Sequence, residues 1–312
     1  MGSIPTQKKS KRSFNHIFDV QDIDNCIAEL TPVFLFAHGS TMMLGEESEP
    51  ARIWEGIGNE CLRRGVKRIV MMGAHWDSPY DTVRVSMNPN ATKDPVGSVT
   101  EARYMPYKMI ADLEGGERVI NMLQAAGINA QPDPKFEWVH DTFLIVIRMF
   151  PHCVPLPTTI VSMNARYDPH MHTKIGAALR PLRYEDTLII GSGGSVHNLY
   201  QNHWYQMLTY RDNFAQPVPP GDFALEFRQA LEDAVTQNTG PALRRAVTRL
   251  MKHPRYKEAH GTDDHYMATL FAAGAAGSEE DQGPNKFLGE CWELVNMCNS
   301  QYQLGNWDES GE

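Results

Sequence analysis

Cysteine is scarce in this chain and is not arranged for pairing. The sequence has five cysteines in 312 residues, and none of them lies in a Cys-x-x-Cys pair. Disulfide-built domains and zinc knuckles need an even number of cysteines or closely spaced ones. The scattered, odd set argues against both, and it predicts a protein of a reducing compartment, the cytoplasm.

Long apolar runs and an excess of positive charge are also lacking. No apolar stretch approaches the ~20 residues that cross a bilayer, and no apolar segment follows the basic residues Lys8, Lys9, Lys11 and Arg12, as it would in a secretory signal. The formal net charge is -9, whereas nucleic-acid binding normally needs a basic face. We therefore expect no membrane partner and no nucleic-acid partner.

Several common catalytic motifs are missing as well. The glycine-rich stretch G-S-G-G-S at 191–195 contains no G-K-S/T and lacks the third glycine of the dinucleotide fingerprint. No G-x-S-x-G elbow is present, so covalent hydrolase chemistry has no support. We interpret these glycines as places where backbone passes close to a crowded centre.

The apolar patterning predicts one α/β domain. Strand-like runs alternate with segments of helical periodicity, and the run after His140 fits either a helix or a strand. Strands are expected at 32–37, 68–74, 82–87, 128–130, 158–163 and 186–191, and helices at 53–64, 116–126, 169–182, once or twice within 222–250, and after an N-cap at Thr262. We predict a single domain at 31–305 with a mostly parallel or mixed central sheet flanked by helices. A partly disordered tail over 1–30 and a short tail over 306–312 complete the chain.

Histidine is the residue that stands out. Five short segments carry one each: F-A-H-G-S at His38, G-A-H-W-D at His75, W-V-H-D at His140, G-S-G-G-S-V-H-N at His197 and T-D-D-H-Y at His265. Most follow an apolar, strand-like run, and strand ends in open α/β folds point into the crevice where ligands bind. Imidazole suits iron, zinc, copper or nickel. The pattern predicts a metal centre at the strand ends, although helix caps or core hydrogen bonds would also explain His38 and His75.

Taken in order, the five segments resemble the class III extradiol ring-cleavage dioxygenases, in the DOPA-dioxygenase-like branch of the protocatechuate 4,5-dioxygenase superfamily. F-A-H-G-S-T is similar to a strand followed by H-G-S-P, and R-I-V-M-M-G-A-H-W-D to a strand followed by S-A-H-W. G-S-G-G-S-V-H-N-L resembles the segment of the later active-site histidine. The segments at His140 and His265 resemble the D-H-G stretch and the A-H-P-x-x-E-H run, so the resemblance spans 33–277.

This resemblance implies a fold, a metal and roles for the five histidines. It implies an Fe(II) enzyme, with Zn(II) as an alternative metal, in which His38, His75 and His265 are ligands. His197 matches the acid/base residue, which can also approach the metal, and His140 matches a pocket histidine that contacts substrate or passes a proton. The implied reaction opens a small aromatic ring beside its diol with O₂. From the residues themselves, Asp141 is expected to support the ligand histidines, whereas Asp77, Asp263 and Asp264 are interpreted as capping or solvated charges.

The chain departs from that family where substrate is selected. Thr41 replaces the proline of H-G-S-P, and V-T-E-A-R-Y-M-P-Y over 99–107 replaces the usual G-F-P loop. Both a catechol and an o-aminophenol therefore remain candidate substrates. The oligomeric state also stays open, with a homo-oligomer as one alternative. Two other functions remain as alternatives: a zinc-dependent hydrolase or lyase in the same pocket, and a non-catalytic interaction protein on the same fold.

Overall fold

The computed structural model describes residues 30–307 apart from 280 and 282. Its strands are β1 (Val33–Ala37), β2 (Arg68–Met72), β3 (Asp77–Ser78), β4 (Thr82–Ser86), β5 (Asn129–Asp133), β6 (Thr158–Ile160), β7 (Met163–Asn164), β8 (Thr187–Gly193), β9 (Lys286–Glu293) and β10 (Met297–Leu304). Its helices are α1 (Glu49–Arg63), α2 (Leu113–Ala125), α3 (His140–Met149), α4 (Pro169–Leu179), α5 (Tyr205–Tyr210), α6 (Asp222–Thr236), α7 (Gly240–Leu250), α8 (Tyr256–Ala259) and α9 (Asp264–Ala276).

Six strands form a mixed central sheet in the order β6-β2-β8-β1-β10-β9. The first four run parallel to one another, while β10 is antiparallel to both β1 and β9. Two short parallel pairs, β3 with β7 and β4 with β5, lie outside this sheet. The predicted single α/β domain with a mixed sheet flanked by helices is confirmed.

Both faces of the central sheet are buried because successive side chains point to opposite sides of a strand. In β1, Val33 and Leu35 join a core that includes α2, α4, α6, α7 and α9. Phe34 and Phe36 join a second core on the other face, against α1 and α3. The near-continuous apolar sequence of β1 is therefore explained by a strand whose two faces are both covered.

Helix α9 approaches the sheet closely enough that only glycine fits at the contacts. A Cβ on Gly191 of β8 would collide with the carbonyl of Ala268, and one on Gly193 would collide with the carbonyl of His265. Because Gly191 and Gly193 have no side chain, α9 packs directly on β8. The first turn of α9, which carries His265, therefore lies at the end of that strand.

The structure adds two strands to the predicted central sheet, β9 and β10. It also decides between stated alternatives, because the run after His140 is helix α3 and the segment 222–250 forms two helices. One expectation needs correction. Thr262 is not the N-cap of the last helix, because α9 begins one residue after Asp263, and the Thr262 hydroxyl donates to the Asp264 carboxylate instead.

The predicted tails lie outside the described residues, except for residue 30 and for 306 and 307. Among the helices of the described ranges, none combines the length and the apolar character that a membrane crossing requires.

Candidate metal centre

All five histidines singled out in the sequence meet at one end of the central sheet. His38 directly follows β1, His75 lies three residues after β2, and His197 lies four residues after β8. His140 is the first residue of α3, and His265 is in the first turn of α9. Four of the five, all except His265, line a cavity of about 200 Å³ together with a loop and an apolar wall. The lining residues are His38, Gly39, Ser40, Thr41, His75, His140, His197, Leu199, Trp204, Met207, Leu294 and Met297.

The imidazoles are close enough to share an ion. The candidate ligand atoms of His38, His75 and His140 all lie within 4.8 Å of one another. The ring of His265 is centred 4.8 Å from that of His75 and 5.1 Å from that of His38. The ring of His197 stacks on His265 with 3.4 Å between centroids. By distance, His38, His75 and His140 form a group that could hold a metal ion, and the ring of His265 lies close to two of them.

A hydroxyl determines which nitrogen of His38 is free. The Ser192 hydroxyl donates its hydrogen to the carbonyl of Asp141 over 2.6 Å, and it lies 3.2 Å from Nδ1 of His38. Because that hydrogen is already used, Ser192 accepts from His38, whose Nδ1 must carry the proton. This leaves Nε2 of His38 as a lone-pair donor, the form in which histidine binds metals.

Carboxylates fix the protonated nitrogen of two other histidines in the same way. Asp264 accepts from Nδ1 of His265 at 2.9 Å, and Asp94 accepts from Nδ1 of His140 at 3.3 Å. Nε2 of His265 is buried and has no hydrogen-bond partner within the described residues. A buried, orphaned imidazole nitrogen costs free energy unless a ligand or ion satisfies it, so this atom fits a metal site.

The pKa of His140 shifts in the opposite direction from the pKa values of His38, His197 and His265. Burial lowers the pKa of His38 and of His265 well below the usual value, and neighbouring imidazoles lower it further. Burial also lowers the pKa of His197 to about 4. The pKa of His140 is raised instead, because the hydrogen bond to Asp94 and the charges of Asp94 and Asp141 outweigh its burial. Neutral rings with free nitrogens therefore line the floor of the site.

Asp141 ties three parts of the site together without contacting an imidazole. Its buried carboxylate accepts from the backbone N–H groups of Ala74, at 2.5 Å, and His75, at 2.9 Å, and its carbonyl accepts from Ser192. A Cβ on Gly73 would collide with the same carboxylate. Asp141 thus fixes the turn that carries His75 and, through Ser192, the ring of His38.

A buried carboxylate in β9 holds the loop after His38. Glu293 is fully buried and accepts from the backbone N–H of Ser40 at 2.8 Å and from its hydroxyl at 2.5 Å. Asn213 and Asn299 donate to it as well. Gly39 has a φ of +68°, and a Cβ there would collide with Glu293, so the glycine of F-A-H-G-S is needed for both conformation and space.

The donor set matches the expected metals. Several neutral imidazole nitrogens and no cysteine lie at the cavity floor, which suits iron or zinc. The sequence identified all five histidines but not their supports Ser192, Asp94, Asp264 and Glu293. The acidic run of T-D-D-H-Y was the available signal for Asp264, which had been interpreted as a helix cap. A larger groove of about 620 Å³, lined by basic residues of α4 and α7, contains none of these residues.

Comparison with known proteins agrees with the site. The family model described as the catalytic LigB subunit of aromatic ring-opening dioxygenase matches residues 32–305. A 4,5-DOPA dioxygenase extradiol from Beta vulgaris is 27% identical over 248 residues, covering 78% of this chain and 86% of that protein. The "Dioxygenase tasH" of Hapsidospora irregularis is 28% identical over 270 residues, covering 80% of each.

A crystal structure of an uncharacterized protein from Escherichia coli K12 has the same fold. It superposes with a TM-score of 0.69 at 21% identity and covers 88% of this chain and 99% of its own. The family match spans nearly the whole described region and includes every histidine of the site. The chain therefore belongs to the LigB family of class III extradiol dioxygenases, and it is a ring-cleaving dioxygenase, an oxidoreductase.

Proposed function

We propose that this protein is a non-heme Fe(II) extradiol dioxygenase that opens the ring of a small catechol or o-aminophenol with O₂. The observation that carries the proposal is the convergence of five histidines at one strand-end cavity. Family membership supplies the reaction class, and the imidazole donors supply a site that suits ferrous iron.

We propose His38, His75 and His265 as the metal ligands. Support comes from the tautomers: His38 and His265 are held at Nδ1 by Ser192 and Asp264, and Nε2 of His265 is a buried atom without a partner. His140 meets the distance requirement too, and Asp94 holds its Nδ1 as well, so its assignment to the substrate side rests on the resemblance of its segment to the family's D-H-G stretch. Its proposed role is to contact substrate or to pass a proton.

In this proposal the protein residues bind substrate and manage its protons. Bound iron would supply positive charge for the catechol oxygens and an electron path to O₂. His197 accepts a proton from a catechol hydroxyl, because its ring is neutral at physiological pH and lines the cavity. The apolar wall of Leu199, Trp204 and Met207 limits the access of water to the reacting ring.

O₂ uptake tests the reaction. The protein would be reconstituted anaerobically with Fe(II) and then given catechols and o-aminophenols, with absorbance followed for a ring-opened product. We expect uptake coupled to that product with at least one compound, and none from zinc-loaded protein. Oxygen-independent turnover by the zinc form would favour the hydrolase or lyase, and inertness of both forms would favour the non-catalytic alternative.

Metal analysis of two variants tests the ligand set. We expect His265→Ala to lose bound iron and His140→Ala to keep it. Both positions are histidines of the same cluster and receive the same substitution, so the comparison controls for general damage to the site. Iron retained in His265→Ala but lost in His140→Ala would replace His265 by His140 in the ligand set.

We also propose a setting for the enzyme. Residues 31–305 form the catalytic domain, which acts in the cytoplasm on a small aromatic substrate without a nucleic-acid or membrane partner. Support for a reducing compartment comes from Cys61, Cys153, Cys291 and Cys298, which are all free thiols. Sedimentation of the purified protein would establish whether it forms a homo-oligomer.

A further inference from the structure

The wall of the metal cavity carries no charged side chain apart from its histidines. Beyond those histidines and the 39–41 loop, the lining consists of Leu199, Trp204, Met207, Leu294 and Met297. No lysine, arginine, aspartate or glutamate is among the lining residues of the described chain. A charged substituent on a bound substrate would therefore have no partner of opposite charge on this wall.

The charges that lie behind the histidines are negative. Asp94, Asp141 and Asp264 support His140, the turn at His75, and His265 respectively. A substrate carboxylate would lose hydration and gain repulsion from these groups. Each of these carboxylates already accepts from an N–H donor, while Oδ1 of Asp94 and Oδ1 of Asp141 have no partner within the described residues, so the repulsion applies to the carboxylate of a substrate and not to an ammonium group. The surroundings thus disfavour a carboxylate on the catechol substituent, including that of an amino-acid group.

An apolar surface extends outward from the cavity mouth. The segment 199–210, which we call the apolar rim, contains Leu199, Tyr200, Tyr205, Leu208 and Tyr210, which are five of the twelve exposed large hydrophobic residues of the described chain. Leu208 is 76% and Tyr200 is 87% exposed. Several exposed apolar residues in a segment that lines a pocket are typical of a ligand-binding site.

The apolar rim is held in place over the cavity. The Trp204 indole donates to the carbonyl of Leu199 over 3.1 Å, which closes the segment on itself. The Asn296 side-chain amide donates to the carbonyl of Gln201 over 2.6 Å, and the backbone N–H of His203 donates to the carbonyl of Leu294 over 2.9 Å. The apolar rim and the 294–297 turn therefore form the two sides of one apolar mouth.

We infer that this site selects catechols whose ring substituent is apolar and uncharged, and that it disfavours catechols with a carboxylate or amino-acid group. The inference rests on the proposed function and names its substrate class. The reacting diol lies at the histidines, while the substituent lies along Leu199, Trp204 and Met207 and reaches the apolar rim. This substrate class differs from DOPA, which appears in the names of several relatives.

Steady-state kinetics with matched substrates test this selection. The compounds are unsubstituted catechol, 4-butylcatechol, 3-(3,4-dihydroxyphenyl)propionate and DOPA, given to the Fe(II) enzyme. We expect kcat/KM for 4-butylcatechol to exceed that for the propionate by about tenfold or more, because each buried methylene contributes to binding and the carboxylate finds no partner. Equal or higher kcat/KM for the propionate or DOPA would overturn the inference, while turnover of any catechol would keep the proposed function.

A variant of the wall reverses the preference. We expect Leu199→Arg to raise kcat/KM for the propionate about fivefold or more and to lower it for 4-butylcatechol. Leu199→Gln, polar but uncharged, should lower the butyl value without a gain for the propionate. Val154→Arg adds the same charge at an exposed apolar residue outside this cavity and should change neither. A gain in Val154→Arg equal to that in Leu199→Arg would contradict a local effect.

Binding affinities test the proposed substrate class even if no catechol is turned over. Quenching of tryptophan fluorescence in zinc-loaded protein under nitrogen gives the affinity for 4-butylcatechol and for the propionate without any reaction. We expect the butyl compound to bind about tenfold more tightly. Equal affinities would refute the substrate class, whereas a clear preference without turnover would retain it and refute only the proposed reaction.

Discussion

Two of the proposed ligand rings, those of His38 and His265, owe their free nitrogen to a residue on the opposite side of the ring. Ser192 holds Nδ1 of His38, and Asp264 holds Nδ1 of His265. An imidazole that is free to flip or change tautomer would present its lone pair toward the centre only part of the time. In the proposed ligand set, the serine and the carboxylate would therefore contribute to metal affinity without touching the metal.

Substitution of Asp264 should weaken the metal site. We expect Asp264→Ala to lower metal affinity about 10- to 100-fold, because the ring of His265 loses the carboxylate that fixes its orientation. Asp263→Ala is the matched control, since Asp263 is also acidic and adjacent but contacts Tyr256 and Lys257 instead. Competition with a chelator measures both affinities. Equal losses in the two variants would assign the effect to charge near the helix start.

Removal of His197 should impair turnover and spare the metal. We expect His197→Ala to lower kcat about 10²- to 10⁴-fold, the usual contribution of a positioned acid/base group, with metal content unchanged. His152→Ala, an exposed histidine, should match the unmodified protein. Metal loss in His197→Ala that parallels the activity loss would instead make His197 a ligand.

The sequence identified the histidines because an apolar, strand-like run before most of them gives a local signal and because the five segments resemble the family's motifs in order. The supports gave no such signal. Glu293 lies 253 positions from Ser40, and Ser192 lies 154 positions from His38, so only the folded chain brings these pairs together. Asp264 was next to its partner in the sequence, but an acidic residue at a helix start is typical of dipole stabilisation, and that explanation concealed its contact with His265.

At the scale of elements, β10 shows why hydrophobic patterning missed a third of the central sheet. Its sequence M-C-N-S-Q-Y-Q-L has asparagine, serine or glutamine at four of eight positions, three of them consecutive, yet all eight residues are buried. Hydrogen bonds compensate: the Gln301 amide donates to the carbonyl of Ala37 and accepts from the Trp54 indole at 2.9 Å each. A buried polar strand reads as a loop unless its partners are known, and these partners lie in β1 and α1.

Packing of α9 on α4 depends on glycine and can be tested by adding one methyl group. A Cβ on Gly274 would collide with the backbone carbonyl of Thr173, so we expect Gly274→Ala to destabilise the fold by about 1–3 kcal/mol. Gly56→Ala in α1 is the control, since nothing lies within 4 Å of a Cβ there, and it should be neutral or stabilising by up to about 1 kcal/mol. Urea unfolding compares the two. Equal stability in both variants would refute the close helix contact.

At the scale of the whole molecule, burial of neutral histidines couples stability to pH. Among those outside the metal centre, His172 is fully buried. Its Nδ1 donates to the Asp168 carbonyl at 2.7 Å, and its Nε2 accepts from the Asn164 backbone N–H at 3.2 Å. Both nitrogens are used by the neutral form only, and burial lowers the pKa of this histidine below its usual value. Protonation would break the bond to Asn164.

The folded protein should therefore lose stability as the pH falls below the unfolded pKa of about 6.5. In that range the unfolded chain binds a proton at His172 and the folded chain does not, so acid favours unfolding until the folded pKa is reached. Between pH 7.5 and 5.5 we expect His172→Gln to lose about 1 kcal/mol less of its free energy of unfolding than the unmodified protein. The difference in slope, measured by urea unfolding across this range, is independent of any general destabilisation by the substitution. His152→Gln, at an exposed histidine, should leave the slope unchanged, and an unchanged slope in His172→Gln would mean that His172 is protonated equally in both states.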